Sequence, residues 1–248
     1  MFGDYHMNEE ETLREKSWKL LVILGRLVLG GIIVTVVSVL CLRWIPPPTS
    51  AVMIQKHVLR FFQAGNQPAI RYQWVPWELI SPKIAVAVVA AEDQKFPEHY
   101  GFDFESISEA LENRKRRPRL RGASTITQQV AKNLFLWSGR SYLRKGLEAY
   151  YALLLELLWS KRRILEVYLN IAEFGNGIYG VSAAAETFLR KSPSRLTTSD
   201  AALLAAVLPN PKLLKVRRPS RYVLYRKNWI RQQMRQLGGV WYIRDLHW

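Results

Sequence analysis

The sequence predicts a mainly α-helical domain preceded by a single membrane-spanning helix. Three observations predict it. Leu20–Leu42 is a 23-residue apolar stretch interrupted only by Arg26. From about residue 50 onward, apolar residues recur mostly at helical spacing. No series of alternating strands and no internal repeat breaks that pattern. A length of 248 residues suits one catalytic domain with little extra, and 49% hydrophobic with 23% charged residues argues against a mainly disordered chain.

The elements follow in order. Residues 1–19 form a polar tail. At a rise of about 1.5 Å per residue, residues 20–42 cross a hydrocarbon core of roughly 30 Å with some tilt. Arg26 lies near the amino end of the span, where it snorkels to the interface. A cleaved signal peptide fits less well, because its apolar region is about 7–15 residues long and ends in a small-residue cleavage site, absent before Trp44. Arg14, Lys16 and Lys19 outnumber the cations just after the span, which puts the amino terminus in the cytoplasm. Pro46-Pro47-Pro48 makes a stiff spacer. Residues 43–248 form the extramembrane domain.

Ile84–Ala91 reads as strand or buried helix, and its four alanines and unbroken run into Glu92 favour helix. Tyr142–Trp159 carries apolar residues along one face. Ser160 caps a second helix over Ile164–Ile171. Val181–Phe188 and Ser199–Val207 are alanine-rich helices. Pro219–Leu237 is amphipathic, with Val223, Ile230, Met234 and Leu237 on one side, and Gly238 ends it.

Composition narrows the chemistry. One cysteine excludes an intramolecular disulfide and a multi-cysteine metal site, and the four separated histidines include no H-E-x-x-H. The net charge is +16; residues 1–19 sum to −2, so the remainder carries +18. Such a field attracts nucleic acid, anionic lipid or a phosphorylated substrate. Arg114–Arg121 holds six cations in eight residues, but no stacking aromatics and no helix-turn-helix pattern stand beside it, so nucleic acid is not the expected partner. Gly175-x-Gly177-x-x-Gly180 matches a dinucleotide fingerprint, yet a helix-patterned segment precedes it where a strand is required, so a tight turn between helices is the better reading.

The chemistry concentrates elsewhere. Glu92-Asp93 directly follows an apolar run, and burial against that run would raise a carboxyl pKa and favour acid–base work. An arbitrary Glu-Asp pair is more often a solvated helix end. The wider pattern is Glu92-Asp93-x-x-Phe96-x-x-His99-x-Gly101-x-Asp103. Gly122-Ala123-Ser124-Thr125-Ile126-Thr127-Gln128-Gln129-x-x-Lys132-Asn133 follows, then Arg144-Lys145-x-x-Glu148. Lys161-x-x-Ile164-Leu165-Glu166-x-Tyr168-Leu169-Asn170 and Ala202–Pro211 complete five motifs over roughly residues 75–215. Together they resemble the family 51 glycosyltransferases, which polymerise peptidoglycan. The basic carboxy-terminal segment is similar to that of the monofunctional Gram-negative members. No S-x-x-K or K-T-G of a transpeptidase occurs. Where the family commonly shows Tyr-Phe-Gly-Lys, this chain has Phe188-Leu189-Arg190-Lys191, so the turn there is open to change.

The resemblance implies a lysozyme-like, two-lobed fold and lipid II as substrate, with the extramembrane domain in the periplasm and the span in the inner membrane. It makes Glu92 the base for the acceptor hydroxyl and Glu148 a second essential acid. It places Lys132 and Arg140 at the leaving diphosphate, and Arg144 is a further candidate cation there. Ser124, Thr125, Gln128, Gln129 and Asn133 are candidates for sugar and phosphate contacts, their neutral groups being suited to both. Asp93, Phe96, His99, Gly101, Asp103, Lys161, Glu166 and Asn170 are expected to support the site. No cofactor is required, while a divalent cation (Mg2+ or Mn2+) near Glu148 is compatible with the pattern. Expected partners are lipid II, the growing lipid-linked glycan, the membrane and other cell-wall or division proteins. The aromatic stretch Phe61, Phe62, Trp74, Trp77, Leu79 and Ile80 suits equally a bilayer contact and an ordinary core. Two rival functions stay open: a lytic enzyme of the same fold class, and a non-catalytic basic scaffold.

Overall fold

The computed structural model describes residues 3–62, 68–106, 108, 112, 124–139, 141–244 and 246. It divides into two units, Met1–Trp44 and Ile45–Trp248. The first is one helix, α1 (Gly3–Leu42), within which Arg14–Leu42 is long and apolar enough to cross a membrane. The second is mainly helical.

At its centre lies α3 (Pro82–Glu92), the segment whose run left strand and helix open. Ser81 caps it and Pro82 opens it, using the first-turn position that needs no amide donor. Ile84 through Ala90 are all buried, so the helix is apolar on every side, as only a central helix can be. Each fully buried Ile or Val there contributes about 1.5–3 kcal/mol relative to exposure. Around α3 pack α8 (Thr198–Val207) and α9 (Arg221–Gln236). Six of the ten α8 residues are buried, four of them alanines, which lets the two helix backbones approach closely.

A second layer joins α4 (Ile126–Phe135) to α5 (Tyr142–Leu158) and α6 (Lys161–Ile171). Ser141, Ser160 and Ser220 cap α5, α6 and α9 through backbone amides of Arg144, Arg163 and Val223. The amphipathic α2 (Ala51–Phe62) lies against α4.

A small sheet was not expected. β1 (Arg71–Tyr72) pairs in parallel with β3 (Ile178–Tyr179), which pairs antiparallel with β2 (Glu173–Gly175). The glycine fingerprint is therefore a hairpin entering a short helix. At Gly180 φ is +81°, and an added Cβ would lie 2.5 Å from the Asn170 carbonyl oxygen. Only glycine fits that backbone approach.

After α7 (Gly180–Ala184) the chain continues as a π-helical turn, Ala185–Leu189, so the predicted helix over 181–188 is present but widened. Arg190 then adopts the left-handed conformation, φ 57° and ψ 40°. Arg190 stands where the resemblance expects glycine, in a backbone shape that glycine favours, and the exposed arginine carries the strain. A non-glycine residue pays roughly 1–2 kcal/mol in that region, partly offset by the larger unfolded-state entropy of glycine. Arg190→Gly should therefore stabilise the domain by about 0.5–1 kcal/mol, a rise of about 1–4 °C in Tm by thermal denaturation.

Candidate active site

Glu92 is the last residue of α3, where the apolar run ends at the wall of a pocket of about 260 Å³. Asp93, Gln94, Lys95, Asp103, Ser124, Thr125 and Trp229 share the wall. The Glu92 carboxylate accepts hydrogen bonds on both oxygens, from Gln129 Nε2 at 3.1 Å and from Arg226 Nη2 at 3.4 Å. Burial pushes its pKa above the ordinary carboxylate value, against the pull of Gln129, Arg226 and Lys132. A carboxylate with raised proton affinity and hydrogen bonds that fix its direction is suited to accept a proton.

Asp93 does different work. Its Oδ1 meets His99 Nε2 at 2.9 Å and its Oδ2 accepts from the Ile126 amide at 2.9 Å. The first motif is thereby tied to the amino end of α4, where free amides favour a negative charge. Thr125 and Gln128 form the reciprocal capping box of α4, and Thr125 Oγ1 also donates to the Gly101 carbonyl at 2.7 Å. The Thr125 hydroxyl and the Gln128 carbonyl oxygen are thus engaged by backbone, while exposed Ser124 faces the pocket. Asp103 accepts the Ser106 amide at 2.9 Å on the same wall. Phe96 is fully buried, with Lys161 Nζ 4.7 Å from its ring centroid. Lys161 also donates to the His99 carbonyl and, at 2.8 Å, to Glu156.

Lys132 follows Gln129 by one helical turn on α4. Burial lowers its pKa; the carboxylates of Glu148 and Glu92 oppose that shift, and Arg144 and Lys145 add to it. It therefore lies within electrostatic reach of both glutamates. Glu148, buried on α5, accepts from Arg144 Nη1 at 2.7 Å and Lys145 Nζ at 2.6 Å. Two cations thus bond one buried acid, with Lys132 in electrostatic reach of it and of Glu92. Asn133, next to Lys132, is half-buried about 100° further round α4. Arg140 lies outside the described residues, as do Gly122, Ala123 and the basic run 114–121.

Glu166 and Asn170 serve architecture. The fully buried Asn170 side chain bonds both backbone groups of Val75, at 2.8 and 2.9 Å, and Glu166 accepts from the Trp77 amide at 2.9 Å. The donor set around Glu148 does not fit a divalent ion, because both carboxylate oxygens already meet cations. Among the described residues, no three His, Cys, Asp or Glu side chains form a group.

Sequence reasoning missed the share of α9. Arg226 reaches Glu92 and also donates to the Ala91 carbonyl at 3.2 Å, Trp229 lines the pocket, and Gln233 meets Gln94 at 3.1 Å. Tyr242, in the following 3-10 helix (Gly239–Ile243), donates to the Gln94 carbonyl at 2.6 Å.

Comparison with known proteins shows the family. The family model described as Transglycosylase matches residues 59–235. A biosynthetic peptidoglycan transglycosylase of Pseudomonas savastanoi pv. phaseolicola is 52% identical over 213 residues, covering 86% of this chain and 90% of the relative. Its namesake in Pseudomonas syringae pv. tomato is 53% identical over 209 residues, covering 84% and 88%. Another in Stutzerimonas stutzeri is 51% identical over 227 residues, covering 92% and 93%. The chain belongs to the transglycosylase family.

Proposed function

We propose that this chain is a peptidoglycan glycosyltransferase of cell-wall synthesis. It polymerises lipid II into β-1,4-linked glycan and releases undecaprenyl diphosphate, with no transpeptidase activity. The observation that carries the reading is the pairing of a half-buried Glu92 on a pocket wall, its pKa pushed up by desolvation, with the neighbouring Lys132–Arg144–Glu148 cluster.

In the proposed step, the 4-hydroxyl of the incoming lipid II sugar gives its proton to Glu92. Its oxygen attacks the anomeric carbon of the lipid-linked chain from the face opposite the diphosphate. The new C–O bond forms as the bond to diphosphate breaks, and the α-linked donor becomes a β-linked glycan. Lys132 and Arg144, with Arg140 by resemblance, stabilise charge that grows on the leaving diphosphate, which lowers the barrier more than it tightens ground-state binding. Glu148 holds those cations in place. Gln129 acts on Glu92, and Ser124 on the pocket wall is open to ligand.

The lipid tail calls for a membrane. α1 supplies an anchor, with the amino terminus cytoplasmic and the catalytic unit periplasmic. Ile54, Val58, Phe61 and Phe62 lie exposed along one face of α2, and Leu143, Leu153 and Leu157 are exposed on α5. Apolar surface of this kind favours bilayer contact. Of the aromatic stretch, Phe61, Phe62 and Leu79 are exposed, Ile80 is core, and Trp74 and Trp77 are half-buried beneath Arg163 and Arg162.

Full-length protein in liposomes, given purified lipid II, should form a polymer that lysozyme digests. Folded protein that makes none would overturn this reading: cutting of finished glycan strands would then point to the lytic enzyme, and no action on either substrate to the non-catalytic scaffold.

A further inference from the structure

Gln129 presents its amide nitrogen to Glu92, and something must decide which end of that amide faces the carboxylate. Turned over, its carbonyl oxygen would oppose a carboxylate oxygen and the hydrogen bond would be lost. Tyr168 settles the choice. Its side chain on α6 is almost wholly buried, and its hydroxyl donates to Gln129 Oε1 at 3.2 Å. With that oxygen held, Nε2 is committed to Glu92 Oε2 at 3.1 Å.

We propose that Tyr168 is a positioning residue for the reaction, acting through Gln129 to keep the base ionised and aimed at the acceptor hydroxyl. The proposal rests on Glu92 being the base. Tyr168 suits the task chemically. Burial, with the carboxylates of Glu92 and Asp93 nearby, raises its pKa well above that of free tyrosine, so it remains a donor throughout the working range. The other charged groups facing Glu92 are Arg226 from α9, Lys132 from α4 and Asp93 beside it. None of them contacts the Gln129 amide oxygen, so none can replace Tyr168 in orienting it.

The test is the pH dependence of kcat/KM for lipid II polymerisation in wild type, Tyr168→Phe, Gln129→Met and the double variant. Tyr168→Phe keeps the ring and its packing, and thermal melts verify the fold. A hydrogen bond that favours the charged form lowers a carboxyl pKa. Removing it should move the acid limb to higher pH by about half a unit to one unit. The same shift is expected in Gln129→Met, and the double variant should shift no further, because both changes remove one relay. An acid limb unchanged in Tyr168→Phe, or two shifts that add, overturns the proposal. Glu92→Gln, measured alongside, separates the two levels: wild-type activity in that variant sinks the base assignment and this inference with it.

Discussion

Glu92→Gln should lower glycan synthesis from lipid II by about 10²–10⁴-fold, the usual contribution of a positioned acid–base group, and the protein should remain folded. The amide is nearly isosteric and still offers an oxygen to Gln129 or Arg226, so packing is kept. What disappears is the capacity to take a proton. Stability should change in the opposite direction to activity. A carboxyl whose folded pKa is raised stabilises the fold fully below its unfolded value, and that contribution is lost as pH rises through the folded value. Near neutral pH the ionised Glu92 is therefore a burden on the fold, and the neutral amide removes it. The variant should melt at or above the wild-type temperature at pH 7, and the difference should shrink or reverse as pH falls toward the ordinary carboxylate range. In the wild type, kcat/KM should rise with pH through an acid limb above the ordinary carboxylate value, since the base works only when ionised. A limb at or below that value would remove Glu92 from the role of base even if the variant were inactive. Stability that falls with the loss of activity would mark Glu92 as a structural acid.

How much of this was legible beforehand depends on the kind of signal. Long amphipathic helices announce themselves by period, as α5 and α9 do, and Ser160 marks the start of α6, whereas α2 and α4, of twelve and ten residues, are not singled out. The sheet had no comparable signal, because strands of two or three residues cannot show alternation, and β1 finds β3 across more than a hundred residues. Glu92, Lys132 and Glu148 stood out through their motifs. Thr125 and Gln128 illustrate a limit of residue type: neutral polar groups suit a sugar and a helix cap equally. Their T-x-x-Q spacing was the capping-box pattern that decides between the two. Arg226 was out of reach for a different reason. It lies 134 residues from Glu92, on a helix whose spacing reports only an apolar side and a basic side. Nothing local distinguishes the cation that turns inward from those left in solvent.

Glu148→Gln tests the other half of the site. Both of its oxygens meet cations, and its carboxylate opposes the lowering of the Lys132 pKa that burial imposes. With a neutral amide there, Arg144, Lys145 and Lys132 crowd together without their main counter-charge. Transition-state stabilisation of the diphosphate should weaken, and synthesis should fall by about 10²–10³-fold, the range seen when one electrostatic donor is removed. The sign on the pH profile is specific. In the proposed step Lys132 stabilises the leaving group only while protonated, so its pKa should set a basic limb. Glu148 raises that pKa; without it the basic limb should move to lower pH, while the acid limb set by Glu92 keeps its place or falls slightly. Some loss of Tm should accompany this, because Arg144 is largely buried and loses a charge-assisted partner. Lys145 is about half exposed and adds little to that cost. Lys145→Ala is therefore the control, with a small effect on both stability and rate. A Glu148→Gln variant that loses activity with its basic limb unmoved would mean that Glu148 acts on the substrate itself. A shifted limb would mean that the second acid works through the cations it gathers, leaving proton transfer to the first.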